Sequence, residues 1–143
     1  MKRLVVDASV ILKWYLADEA HGEQALALLK QCAIGELEIL APTLLTYELM
    51  NGLVIAGRRV QIDDDNVALS FRGFLNLGIK FYDLTFFADK VFLYARLYGC
   101  SVYDSSYLAL AEQEGIDFIT ADERLFNSVK KELPWVRWIG ESR

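Results

Sequence analysis

Short apolar runs of β-type composition alternate along this chain with longer segments of helical periodicity, and that alternation leaves few folds open. Successive strands joined through helices run parallel, and a parallel sheet must be covered by helices on both faces. The expected class is therefore α/β. Leu4-Val5-Val6 reads as the first strand, followed by a short helix over about 8–16 and a second over about 23–33, with Leu26, Leu29 and Ile34 on its core face. Leu37-Glu38-Ile39-Leu40 alternates as a strand does, Pro42 suits the first turn of the next helix, and Gly57 stops that helix after Ala56. A helix over 63–75 follows, with Asp63-Asp64-Asp65 capping its positive end. Ile79-Lys80-Phe81 is a short strand and 85–98 a helix ending at Gly99. Asp104 opens a helix reaching Glu114, residues 117–120 form a strand, 123–129 a short helix and 135–139 the last strand.

At 143 residues the chain is expected to be one domain with a single substantial core. Its apolar stretches are interrupted, as Leu84 to Tyr98 is by Asp89, Lys90 and Arg96, so none reaches the roughly 20 residues of a membrane span. The N-terminus lacks the apolar centre of a signal peptide, and a soluble, cytoplasmic protein with no membrane partner is expected. Cys32 and Cys100 fit no paired metal spacing and read as core residues. The net charge of −5 argues against a broad basic surface that grips nucleic acid.

Four acids stand where a lone carboxylate is out of place: Asp7 closes the first strand, Glu48 interrupts a helical apolar run, Asp104 opens a helix and Asp122 follows Phe118-Ile119-Thr120. Strand ends of a parallel sheet lie along one edge, where such folds bind ligands. Singly, Asp7, Asp104 and Asp122 are each explained as helix N-caps. Glu48 is not, because it lies one turn from Leu44 and Leu45 and from Gly52. Four carboxylates brought together raise one another's pKa and call for a cation, and a set without His or Cys suits magnesium or manganese. Ser9 and Thr120 stand beside Asp7 and Asp122, and Asn51 lies one turn beyond Glu48, as polar support.

The segments Val5-Val6-Asp7-Ala8-Ser9, Pro42 to Asn51, Tyr103 to Ala111 and Phe118 to Leu125 resemble the four motifs of PIN-domain nucleases, in order and over nearly the whole chain. The resemblance is greatest to the VapC type, the toxin of prokaryotic toxin–antitoxin pairs. It implies a three-layer α/β/α sandwich with a central parallel sheet, Mg2+- or Mn2+-dependent cleavage of RNA, a homodimer, and a VapB-like antitoxin as partner. It also implies that Asp7, Glu48, Asp104 and Asp122 are the catalytic and metal-binding quartet, with Ser9, Asn51 and Thr120 in supporting positions. Asp7 and Asp104, helped by Glu48 or Asp122, would hold a metal that activates water for in-line attack, leaving 5′-phosphate and 3′-hydroxyl ends.

The sole histidine, His21, lies outside all four segments, so a histidine-based ribonuclease lacks its parts. Lys13, Arg58, Arg59, Arg72 and Arg96 are candidate phosphate contacts. The aromatic-rich stretch from Phe71 to Tyr98 supplies core packing and, in part, a dimer or antitoxin groove. Receiver domains need an acidic pair after the first strand, and dehalogenase-type phosphatases need Asp-x-Asp where this chain has Asp7-Ala8-Ser9. A housekeeping RNA-processing nuclease and a non-catalytic RNA-binding module remain the alternatives.

Overall fold

The computed structural model describes residues 1–16, 19–59 and 61–141. Five strands, β1 (Lys2–Val6), β2 (Leu37–Pro42), β3 (Lys80–Tyr82), β4 (Phe118–Thr120) and β5 (Val136–Trp138), form one sheet in the order β3-β2-β1-β4-β5. Every pairing is parallel. Seven α-helices cover it among the described residues: α1 (Ala8–Ile11), α2 (Gly22–Ala33), α3 (Leu44–Arg58), α4 (Asp64–Leu75), α5 (Ala88–Tyr98), α6 (Val102–Glu114) and α7 (Glu123–Val129). The result is the three-layer α/β/α sandwich expected from the alternating pattern.

Central strand β1 carries Val5 and Val6, both fully buried, and β2 and β4 add Ile39, Leu40 and Phe118. Helix α6 packs on β1, β2 and β4, and α5 covers α6 in turn. Its residues Ser105 to Ala111 are consequently buried all round the helix, which explains why it shows no single apolar stripe. The chain leaves β1 toward β2 on one side and reaches β4 on the other, so the sheet order reverses between β1 and β4. Crevices form at such switch points, beyond the carboxyl ends of the strands.

Local departures from the expected pattern have physical causes. On α2 the buried positions are Ala25 and Leu28, while Leu26 and Ile34 are exposed. The small Ala25 is selected because the indole of Trp14 lies against α2 and donates to the Ala25 carbonyl at 2.7 Å. Pro42 ends β2 and does not enter the helix, since the next backbone N–H, that of Thr43, continues the pairing to the Tyr82 carbonyl at 3.0 Å. Gly57 does not stop α3, which runs on to Arg58 with Gly57 facing Val67 and Asp64 of α4. Residues 12–14 and 84–87 are tight 3-10 turns leading out of α1 and into α5. Cys32 and Cys100 are half-buried free thiols at the core margin. Asp63 caps α4 as expected, its carboxylate accepting from the Asn66 backbone N–H at 2.9 Å.

Candidate active site

Asp7 leaves β1 at the switch point and is buried, an unusual position for a carboxylate. Its two oxygens are held separately. Ser9 Oγ donates to Oδ1, and Thr120 Oγ1 donates to Oδ2 at 2.6 Å. Each hydroxyl in turn accepts from the backbone after β4: Ser9 Oγ from the Ala121 N–H at 2.9 Å, Thr120 Oγ1 from the Asp122 N–H at 3.0 Å. Two short relays thus tie the end of β4 to the Asp7 carboxylate and fix its orientation. Asp7 also accepts from the Val10 N–H at 3.4 Å, a marginal N-cap bond. Burial raises the Asp7 carboxyl to about 7, against the three hydrogen bonds, and Glu48 adds to the rise.

Glu48 projects from α3, half-buried, and its Oε1 accepts from the Tyr107 hydroxyl at 2.6 Å. Burial raises its pKa, the Tyr107 bond opposes that, and Asp104 adds to it. Asp104 lies in the first turn of α6, where Ser101 is the cap and accepts from the Asp104 N–H at 3.0 Å. The capping reading of Asp104 is therefore overturned, and its carboxylate is left for another role. Burial, then Asp122, raise its pKa, while Ser101 and Arg124 lower it. Asp122 caps α7, accepting from the Leu125 N–H at 3.1 Å.

Asp7 and Asp122 follow β1 and β4, Asp104 lies in the first turn of α6 and Glu48 projects from α3. The charges act in sequence, Glu48 on Asp7, Asp104 on Glu48 and Asp122 on Asp104, a row of neighbours at the carboxyl edge of the sheet. Among the described residues, no three Asp, Glu, His or Cys side chains converge closely enough to enclose a metal ion. In chemical kind the donors fit a hard divalent cation: all are carboxylate oxygens, three carry raised pKa values from burial and mutual repulsion, and hydroxyls steady the most buried one.

Residues 4–132 match the family profile described as PIN domain. The chain belongs to the PIN domain family. Ribonuclease VapC3 of Pyrobaculum aerophilum is 32% identical over 125 residues, covering 86% of this chain and 92% of the relative. The crystal structure of PAE2754 from Pyrobaculum aerophilum matches with a TM-score of 0.67 at 25% identity, over 96% of this chain and 91% of that one. A chain of a toxin–antitoxin complex from Klebsiella pneumoniae matches with a TM-score of 0.62 at 17% identity, over 97% of this chain and 99% of that one, a likeness of fold.

In this PIN domain, Ser9 and Thr120 join Asp7 as expected, whereas Asn51 is exposed on α3 and makes no hydrogen bond to Glu48 among the described residues. Tyr107, not among the expected site residues, belongs to the site through its bond to Glu48. Its signal was present: it follows Asp104 by three residues, on the same helix face, and a buried Tyr hydroxyl needs a partner. Its ring is fixed by stacking on Phe118, with centroids 5.7 Å apart. Of the basic residues proposed as phosphate contacts, Arg58, Arg59, Arg72 and Arg96 are exposed and Lys13 is half-buried. Arg124, which sequence analysis did not single out, lies close enough for its charge to lower the pKa of Asp104. His21 sits at the N-cap position of α2 with its ring edge-on to Trp138 and makes no hydrogen bond to any of the acids among the described residues.

Proposed function

We propose that this PIN domain is a Mg2+- or Mn2+-dependent endoribonuclease acting as the toxin of a VapBC-type pair. The observation that carries the reading is the buried Asp7, gripped by Ser9 and Thr120 at the sheet's switch point and continued as a row by Glu48, Asp104 and Asp122. Burying Asp7 with three half-buried acids beside it works against folding unless a positive partner rewards it. Asp7, Glu48, Asp104 and Asp122 would hold the ion. When bound, a divalent ion supplies positive charge at the phosphodiester and acidifies a water molecule.

The chain's own residues do the rest. Ser9 and Thr120 present Asp7 in one orientation, and Tyr107 does the same for Glu48, so neither carboxylate must be ordered when substrate arrives. No residue in the row is a histidine, which leaves carboxylates as the local proton acceptors. RNA as substrate is supported by the 32% identity to ribonuclease VapC3. A VapB-like antitoxin and a second copy of the chain fit two exposed apolar faces: Tyr47, Met50 and Val54 on α3, and Phe92, Leu93 and Leu97 on α5. A cytoplasmic location is consistent with the toxin reading, and among the described residues no helix is long and apolar enough to cross a membrane.

Wild type and Asp7→Asn compared on total cellular RNA, with and without manganese, test the assignment. Manganese-dependent cleavage by the wild type and a loss of at least about 100-fold in the variant are expected. Growth after induction should stop only for the wild type. Equal cleavage by both proteins would refute the role given to Asp7, and tight manganese binding without any cleavage would favour a non-catalytic RNA-binding module.

A further inference from the structure

A cavity of about 390 Å³ opens beside the far end of the acid row, between the turn joining α5 to α6 and the start of α7. Its size falls within the ~300–1,000 Å³ of ordinary ligand pockets. Asp104 and Asp122 form one wall, and Tyr98, Ser101, Arg124 and Ser128 form the others. Most of the polar groups here are already committed. Ser101 Oγ accepts from the Asp104 N–H, Ser128 Oγ donates to the Leu125 carbonyl at 2.7 Å, and the Tyr98 hydroxyl donates to Glu132 Oε2 at 3.0 Å.

Arg124 differs. It is exposed, and among the described residues it makes no hydrogen bond or ion pair, although its charge reaches Asp104. It is also the single cation among the charges that act on the shifted acids. In a chain of net charge −5, Arg124 places a positive charge beside the acids where a phosphate would approach. The guanidinium fork matches phosphate oxygens, and Arg124 has no hydrogen bond or ion pair among the described residues to give up for one. Tyr98 supplies the second element. Its hydroxyl is anchored outward to Glu132 and its ring lies 5.8 Å from that of Tyr94, so an oriented aromatic ring lines the cavity. Unpaired bases stack on such rings.

We propose that this cavity is the subsite for the nucleotide adjoining the scissile phosphate of a single-stranded RNA, with Arg124 contacting its phosphate and Tyr98 stacking on its base. The inference rests on the nuclease reading above and deepens it. A free acidic small molecule is disfavoured because Asp104 and Asp122 occupy one wall, whereas a polymer can place its reacting phosphate at the acids and its neighbouring phosphate at Arg124.

The test uses the full chain and a short fluorescein-labelled single-stranded RNA. Arg124→Gln should raise KM about 10-fold and leave kcat within about 3-fold, since it removes one phosphate contact and no reacting group. Anisotropy in EDTA should show the same loss of affinity without cleavage, and the slope of log K against log salt should fall by about 0.7, one single-strand contact. Arg124→Lys should recover part of both. Tyr98→Leu should weaken binding while Tyr98→Phe should not. Wild-type KM, Kd and salt slope in Arg124→Gln would overturn the subsite, as would a fall in kcat with Kd unchanged, because Arg124 would then act on Asp104 instead of on RNA. Wild-type protein that binds but does not cleave removes the nuclease reading, and the Kd comparison still decides the subsite. Wild-type protein that does neither overturns both.

Discussion

Asp7 concentrates the conflict between stability and function in one side chain. Its burial favours the protonated carboxyl, raised from the ordinary 3.8 to about 7, and Glu48 pushes the same way. A carboxyl raised on folding contributes stability that is fully present below its unfolded value of 3.8 and is lost as pH rises through about 7. The protein in EDTA should therefore lose melting temperature between pH 5 and pH 8, and Asp7→Asn, uncharged throughout, should lose less. At pH 8 the variant should melt higher than the wild type, by on the order of 5 °C. Calorimetry at the two pH values checks this. A variant that melts lower at pH 8 would mean that the Ser9 and Thr120 hydrogen bonds outweigh desolvation. The same charge that weakens the fold is what a divalent cation needs, so added manganese should raise the wild type far more than the variant.

Element by element, the acid row depends on how closely helices approach one another. A Cβ built on Gly52 would lie 2.6 Å from Leu12 Cδ1, so the missing side chain lets the turn at residues 12–14 close against α3, one turn after Glu48. The contact is with the flexible end of Leu12, and alanine gains about 1 kcal/mol of helix propensity over glycine. Gly52→Ala should accordingly be near neutral, while Gly52→Leu should cost about 1–3 kcal/mol in urea unfolding and reduce activity by displacing α3. If Gly52→Leu melts like the wild type, the close approach is not required. The strand and helix order was legible because short apolar runs alternate with helical segments, most with their own period, while α6, buried all round, was marked by its length and the Gly115 that closes it. Less legible were features decided by a partner element. Ala25 is chosen as core by Trp14, Gly57 stays helical against α4, and Ser101 takes the cap that Asp104 was expected to fill. The acids themselves were legible from type and position; Tyr107 left a signal in its spacing from Asp104 but not the identity of its partner, and Arg124 left none, since its role depends on what the fold sets opposite it.

At the scale of the whole molecule, the exposed apolar surface sets the next expectation. The chain is 54% hydrophobic, and one group of its exposed apolar side chains gathers on or beside α5 and the start of α6: Phe86 is 79% exposed, Phe92 55%, Leu97 61% and Tyr103 64%. Apolar side chains gathered on neighbouring elements mark an interface more often than scattered ones do. A self-association face of standard size covers about 800 Å² per partner, so residues around these four side chains must take part in it. Light scattering should therefore return twice the monomer mass at micromolar concentration. Leu97→Glu, a charge placed at an already exposed position, should halve that mass while leaving melting temperature and circular dichroism of the monomer intact. Retention of the dimer would move the interface to the Tyr47, Met50 and Val54 stripe on α3, where Val54→Glu would then be the disrupting change. A monomeric wild type that binds no apolar dye would refute both faces.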